Sequence, residues 1–374
     1  MAGLYIHIPY CRRKCSYCDF FSVANTSTVE AYIDAVVAES RLRKDELRGE
    51  GLRTIYIGGG TPSVLGIGQI RRLVEGIRSV FDTSEVEEFT IEVNPEGVGR
   101  EYVEGLRETG INRVSMGIQS FDDEELKMIN RRHSAAEAER AVETIREAGI
   151  DNISIDLIYG LPLQTMDSWQ RTLEKAASLK PNHISAYNLS YEEGTRLWTM
   201  RKLGKIAEAT EEECEAMFHS LVKQLKAAGY EHYEISNFCL PGFHSRHNSS
   251  YWDGTLYLGL GASAHSYDGE TRSWNPRNIN EYITAITAGR RACECEALTA
   301  TDKYNEQIMI RLRTAKGVSA DFLRQAHGEE AMRRFEQQAE RFVQAGMMAK
   351  TGAVYRITEA GIMISDHIIS HLML

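Results

Sequence analysis

Nowhere in the 374 residues does an uncharged apolar stretch approach the roughly twenty residues of a bilayer-spanning helix. The opening MAGLYIHIPY lacks the basic segment and apolar run of a secretory signal. A cytoplasmic location is therefore expected, with no integral membrane segment and only peripheral association left open. An excess of positive charge is also missing. With 53 acidic against 43 basic residues the formal charge is -10, which argues against non-specific nucleic-acid binding by the whole chain. A local basic pocket for a small anion is compatible with that balance. There is no internal repeat and no low-complexity tract. The seven cysteines are odd in number and three of them crowd together, which suits a metal site in a reducing compartment and not a disulfide scaffold.

What the sequence does contain is YCRRKCSYCDFFS, with Cys11, Cys15 and Cys18 spaced Cys-x3-Cys-x2-Cys on a loop directly after the strand-like LYIHI. Soft thiolates select zinc, copper(I) or iron–sulfur clusters. Structural zinc wants four ligands, usually as two separated pairs, and the next cysteine is as distant as Cys214. In a cubane cluster three cysteines leave one iron open to an exogenous ligand. Three cysteines without metal is the bland alternative.

Strand-like runs at 4–8, 54–58, 89–93, 113–118, 153–160 and 183–189 alternate with helical stretches at 29–48, 68–80, 100–109, 134–148 and 167–179, with Ser134 and Asp167 as plausible caps. Strict alternation means a parallel sheet with crossover helices. Six repeats fall short of an eight-fold barrel, so a partly open α/β barrel or a flat doubly wound sheet is expected. A helix at 210–228 and a short extended run at 230–238 follow, then an aromatic and polar segment at 239–276 with little helical period, read as a functional loop. The last third returns to helices at 302–315, 319–327, 329–346 and 359–372, with a turn-linked strand pair before the last. The expected division is a core at 1–238, a connecting segment at 239–300 and a small α-helical, winged-helix-like domain at 301–374.

GGGTPS (58–63) follows the second strand but lacks the Gly-Lys-Ser/Thr ending of a phosphate loop. Alone it marks a tight turn or a close backbone approach to a ligand. Glu92 and Asp156 are carboxylates inside apolar strands, which need a partner or a task. Gln119 and Arg131 stand near the end of the fourth strand, and strand ends are where barrel folds build sites.

The cysteine spacing in this context, with Tyr17 before the last cysteine, resembles the radical S-adenosylmethionine (SAM) superfamily. That resemblance implies a partial (β/α)6 barrel and a [4Fe-4S] cluster on Cys11, Cys15 and Cys18, its open iron chelated by SAM. YIHIPYC, GGGTPS, EVNPE, SMGIQSF, NRRH and DLIYGLPLQT resemble, in order, the oxygen-independent coproporphyrinogen III oxidase (HemN) family. On that resemblance Tyr5, Tyr17, Gly59 and Glu92 contact one SAM, and Gly60, Thr61, Gln119, Arg131 and Asp156 correspond to a second SAM site. The oxidase continues its triplet Cys-Gly-Cys, whereas this chain reads Cys18-Asp19-Phe20, and Cys11 follows a short N-terminal stretch. Both departures resemble the HemW subgroup, regarded as haem chaperones, and not an active oxidase.

HNSSYW (247–252) resembles that subgroup's His-Asn-x-x-Tyr-Trp motif, which makes His247 the haem-ligand candidate. His244 and His265 have similar claims, and Arg246 is available for the propionates. Haem and haem-accepting proteins are then the expected partners. Radical enzymology on coproporphyrinogen is the alternative. Cys214, Cys239, Cys293 and Cys295 are read as incidental. Arg333, Arg334 and Arg341 in the tail alternate with glutamates, as expected of a solvated helix face and not of a DNA-reading one.

Overall fold

The structure, a computed structural model, describes residues 2–374. The six alternating runs form parallel strands: β1 (Ala2–Ile8), β2 (Leu52–Gly59), β3 (Glu88–Val93), β4 (Arg113–Gln119), β5 (Asn152–Tyr159) and β6 (His183–Asn188). Nearly every residue of β1 to β5 is buried, as expected where crossover helices cover one face and a site occupies the other. The crossovers are α1 (Val29–Leu42), α2 (Ile67–Arg78), α3 (Arg100–Glu108), α4 (Asp123–Met128) with α5 (Ala135–Glu147), and α6 (Met166–Ser178). Ser134 caps α5 in a reciprocal box with Glu137. Asp167 is not a cap: Thr165 accepts the Ser168 N–H at 3.1 Å, and Asp167 lies in the first turn, where its charge meets the helix dipole.

After α7 (Arg196–Lys202) and α8 (Glu211–Ala227), a hairpin of β7 (Glu231–Glu234) and β8 (Asn237–Cys239) adds to β6. The next segment departs from the expected irregular loop. It forms α9 (Arg246–Asp253), β9 (Tyr257–Leu260), β10 (His265–Tyr267), β11 (Thr271–Trp274), α10 (Ile279–Thr287) and β12 (Glu294–Ala297). Strand β9 pairs in parallel with β1, from Gly3 opposite Tyr257 to Ile6 opposite Leu260. The result is one open sheet ordered β12-β11-β10-β9-β1-β2-β3-β4-β5-β6-β8-β7. The six-stranded parallel core is thus extended at both edges.

A second hydrophobic core organises the tail, with Tyr304, Ile308, Leu323, Phe335 and Tyr355 at its centre. Around it stand α11 (Ala300–Leu312), β13 (Val318–Ser319), α12 (Ala320–Gln344), β14 (Met348–Thr351), β15 (Val354–Ile357), α13 (Glu359–Ile362) and α14 (Ser365–Leu372). Gly328, at φ 89°, breaks α12 between its two predicted halves.

A buried carboxylate fixes α9 against the sheet. Glu88, at the start of β3, accepts the backbone N–H groups of Arg246 at 2.8 Å and His247 at 2.9 Å. An anion at a helix N-terminus is favoured by the helix dipole and by these unpaired donors. Glu88→Ala should therefore cost about 2–4 kcal/mol of stability. A denaturant midpoint equal to that of the unmodified chain would contradict this.

Candidate functional site

The cysteine loop leaves the end of β1 and returns on itself, with the Cys11 N–H donating to Val23 O at 2.9 Å and the Val23 N–H to Pro9 O at 2.8 Å. Its start is clamped by the GGGT loop after β2. Gly60 N–H donates to Ile8 O at 2.9 Å and Thr61 N–H to Tyr10 O at 2.8 Å. The Thr61 hydroxyl stands 3.4 Å from Cys11 Sγ. A side chain on Gly60 would put Cβ 2.7 Å from Tyr10 O, a backbone atom that cannot swing aside. Gly59 has φ +113°, and the His7 ring fills the place of its Cβ. The glycines are therefore explained first by this contact between two loops.

Cys11, Cys15 and Cys18 line one cavity of about 600 Å³. So do Tyr17, Gly59, Gly60, Thr61, Glu92, Gln119, Arg131 and Asp156. The fold thus brings together every residue singled out for cluster or SAM except Tyr5. That ring lies outside the cavity, its centroid 6.1 Å from that of Tyr56, with its hydroxyl donating to His7 Nδ1 at 3.1 Å. Tyr56 takes the wall position instead.

Burial raises the Cys11 thiol, and burial with the neighbouring thiols raises Cys18 to about 11. Three converging sulfur donors of this kind become thiolates when a cation among them reverses the charge balance. No histidine or fourth cysteine lines the cavity among the described residues. The donor set fits a cluster held by three thiolates with one corner open.

Across the cavity the strands present polar side chains at alternate positions, as pleating requires. Glu92 accepts from the Tyr56 hydroxyl at 2.8 Å and from Gly59 N–H at 3.0 Å, yet burial pushes its pKa up to about 7. Burial likewise raises Asp156 to about 6. Gln119 has φ 73° where the β4–β5 register shifts, a strained backbone for a non-glycine residue. Arg131 joins the two sides: its guanidinium donates to Cys15 Sγ at 3.5 Å, to Asn94 Oδ1 at 3.0 Å and to Gly117 O. Sequence reading passed over Tyr56, Asn94, Ser115, Ser185 and Tyr187, all on the cavity wall. The signal was there, because Ser115 pairs in register with Glu92 and Ser185 with Asp156.

His247 does not offer a free nitrogen. It sits on helix α9, not a loop, and is buried with Nδ1 2.8 Å from Thr54 Oγ1 and Nε2 2.9 Å from Tyr251 Oη. Burial holds it neutral, lowering its pKa to about 3. Arg246 pairs with Glu87 at 2.6 Å, and His244 faces Glu231 at 3.5 Å. Ligation by His247 would break a hydrogen bond and open the packing of α9 on β2. Cys214 and Cys239 are buried apart from the cavity, and Cys293 and Cys295 are exposed.

The raised Glu92 has a sign that can be measured. Its folded value of about 7 lies above its ordinary 4.5, so the unliganded protein loses stability as pH rises from about 4.5 through 7. Glu92→Gln removes that loss. The stability difference between variant and wild type, from urea unfolding, should move in the variant's favour between about pH 5 and pH 8, by about 1–3 kcal/mol. A constant difference would show that Glu92 ionises normally.

Comparison with known proteins agrees with this geometry. A family model described as the radical SAM superfamily matches residues 5–176, and one described as the HemN C-terminal domain matches 298–364. A protein of Bacillus subtilis named heme chaperone HemW is 32% identical over 371 residues, covering 98% of this chain and 98% of that protein. Its namesake in Lactococcus lactis is 39% identical over 315 residues, or 84% and 82% of the two chains. Among solved structures, coproporphyrinogen III oxidase (HemN) from Escherichia coli, described as a radical SAM enzyme, superposes with a TM-score of 0.86. It is 24% identical, over 100% of this chain and 90% of that one, which establishes the shared fold. The chain belongs to the HemW family of radical SAM proteins.

Proposed function

We propose that this protein is a haem chaperone. In this reading Cys11, Cys15 and Cys18 hold one [4Fe-4S] cluster, an exchangeable SAM caps the remaining iron, and haem is the cargo passed to acceptor proteins. The relatives named heme chaperone HemW support it along the whole chain. The observation that carries it is local. Where the resemblance to the oxidase would put a fourth cysteine, this chain has Phe20, and that ring is 70% exposed beside the cluster cavity. The same ring also lines an adjoining cleft with Phe21, Tyr5, Tyr251 and Tyr257, and a contiguous group of rings beside a site suits a flat apolar ligand or a partner.

The protein's own residues have definable tasks. Glu92, fixed by Tyr56 and Gly59, is placed to accept an ammonium group, and a bound cation restores the ionised carboxylate that burial disfavours. Arg131, half-buried beside Cys15, offsets the negative charge of thiolate ligands. Gln119, Asp156 and Thr61 complete a polar wall suited to a zwitterionic ligand. Bound together, cluster and SAM supply one-electron chemistry.

That complete wall also favours a second reading, radical oxidation of coproporphyrinogen III. Anaerobic reconstitution with iron and sulfide separates the two. Wild type should gain the visible absorbance of an iron–sulfur cluster, and Cys15→Ser should lose most of it. Added ferric haem should give a Soret band, and coproporphyrinogen should be returned unchanged. Conversion to protoporphyrinogen would replace the proposed function, and absence of any Soret change would remove it.

A further inference from the structure

On the far side of Phe20 from the cysteines lies a second, smaller cleft of about 280 Å³, open to solvent. Its walls are aromatic: Phe20 and Phe21 from the cysteine loop, Tyr251 from α9, Tyr257 from β9 and Tyr5 from β1. Tyr251 and Tyr257 meet edge to face at 4.8 Å. The other residues of the lining are polar: His7, Ser263, His265 and Arg277. Resting on the haem-chaperone reading above, we propose that this cleft is the haem site, with His265 as axial ligand to iron, Arg277 as partner of a propionate, and the aromatic walls as the surface for the macrocycle.

Three histidines come near the cleft or its walls, and their surroundings separate them. His7 is buried, with Nδ1 taken by Tyr5 and Nε2 3.1 Å from Phe21 O. His247 is buried with both nitrogens engaged. His265 is exposed, and among the described residues no protein group hydrogen-bonds either of its nitrogens. Its ring is oriented by stacking on Trp274, its direct cross-strand neighbour, at 5.7 Å and 24°. An oriented neutral imidazole with a free lone pair is the requirement for an axial ligand. Partial burial and the nearby Arg272 and Arg277 charges lower its pKa.

Arg277 supplies the charge complement. Among the described residues it has no carboxylate partner, and its one hydrogen bond runs to the backbone oxygen of Asp19, at 3.2 Å. The remaining guanidinium N–H groups are free for a carboxylate. The cleft is smaller than a porphyrin and cannot enclose one. It therefore grips part of the ring and leaves the rest accessible, which suits a cargo that must be surrendered. The site also adjoins the cluster: Phe20 lines both cavities, and Arg277 is tied to the residue after Cys18. In this arrangement the HNSSYW helix contributes through Tyr251, whose hydroxyl His247 anchors. His247 is a positioning residue.

The test is titration of the full-length protein with ferric haem, and separately with metal-free protoporphyrin, in wild type and in His265→Ala, Arg277→Ala and His247→Gln. His265→Ala should move the Soret maximum and weaken haem binding at least tenfold, while leaving metal-free porphyrin binding and the thermal midpoint unchanged. Added imidazole should return its Soret band toward that of wild type. Arg277→Ala should weaken both ligands without moving the band, and His247→Gln should keep the wild-type band position. A wild-type Soret band and affinity in His265→Ala would overturn this assignment while the haem-chaperone reading stood. Failure of wild type to bind haem would overturn both.

Discussion

Two loops that follow adjacent strands meet through two backbone hydrogen bonds and one side-chain contact. The Gly60 and Thr61 N–H groups reach the carbonyls of Ile8 and Tyr10, and the Thr61 hydroxyl touches Cys11. Everything that matters in the cavity descends from this contact. It sets where the cysteine loop begins, and hence where three sulfur donors point. Because the opposing atoms are main chain, no rotamer change can accommodate a larger residue at Gly60. The same β2 edge carries Gly59, whose N–H holds Glu92. A single glycine-rich turn thus aligns the half of the cavity that carries the three cysteines with the half that carries Glu92.

The cavity gathers groups whose charged forms burial disfavours. Thiols are pushed up by burial, Glu92 and Asp156 are pushed toward neutral pH, and Arg131 is half-buried among them. Holding such groups together costs stability unless each has a partner. In the proposed function a cationic metal centre on one side and an ammonium-bearing ligand on the other would relieve the two costs separately. That division accounts for a site whose two faces are so different in chemistry, and Arg131 spans the boundary by contacting both Cys15 and Asn94.

Much of this was legible in the sequence, for physical reasons that differ from element to element. The six parallel strands were evident because buried strands are written as β-branched runs between amphipathic helices. That the three cysteines share one cavity was evident because they lie within eight positions of one loop. The segment after β8 was opaque. Its strands are three or four residues long and its helix carries His, Asn, Ser, Tyr and Trp, none a strong helix former. What folds it is remote: Glu88 caps α9, and β1 offers an edge to β9. Burial of His247 was equally invisible, since its partners Thr54 and Tyr251 come from separate elements. Tyr5 was named on the resemblance alone, and strand alternation specifies a face but not how deep a large ring reaches, so its place outside the cavity lining could not be read from the sequence.

The central claim is a cluster anchored by three side chains whose last iron is reserved for a small molecule. Mössbauer spectroscopy of protein reconstituted with isotopically enriched iron, recorded before and after addition of SAM, tests it most directly. The account predicts that one iron in four changes its isomer shift and quadrupole splitting on SAM addition, while the other three keep the parameters of thiolate-ligated sites. Four equivalent irons, with no response to SAM, would contradict it.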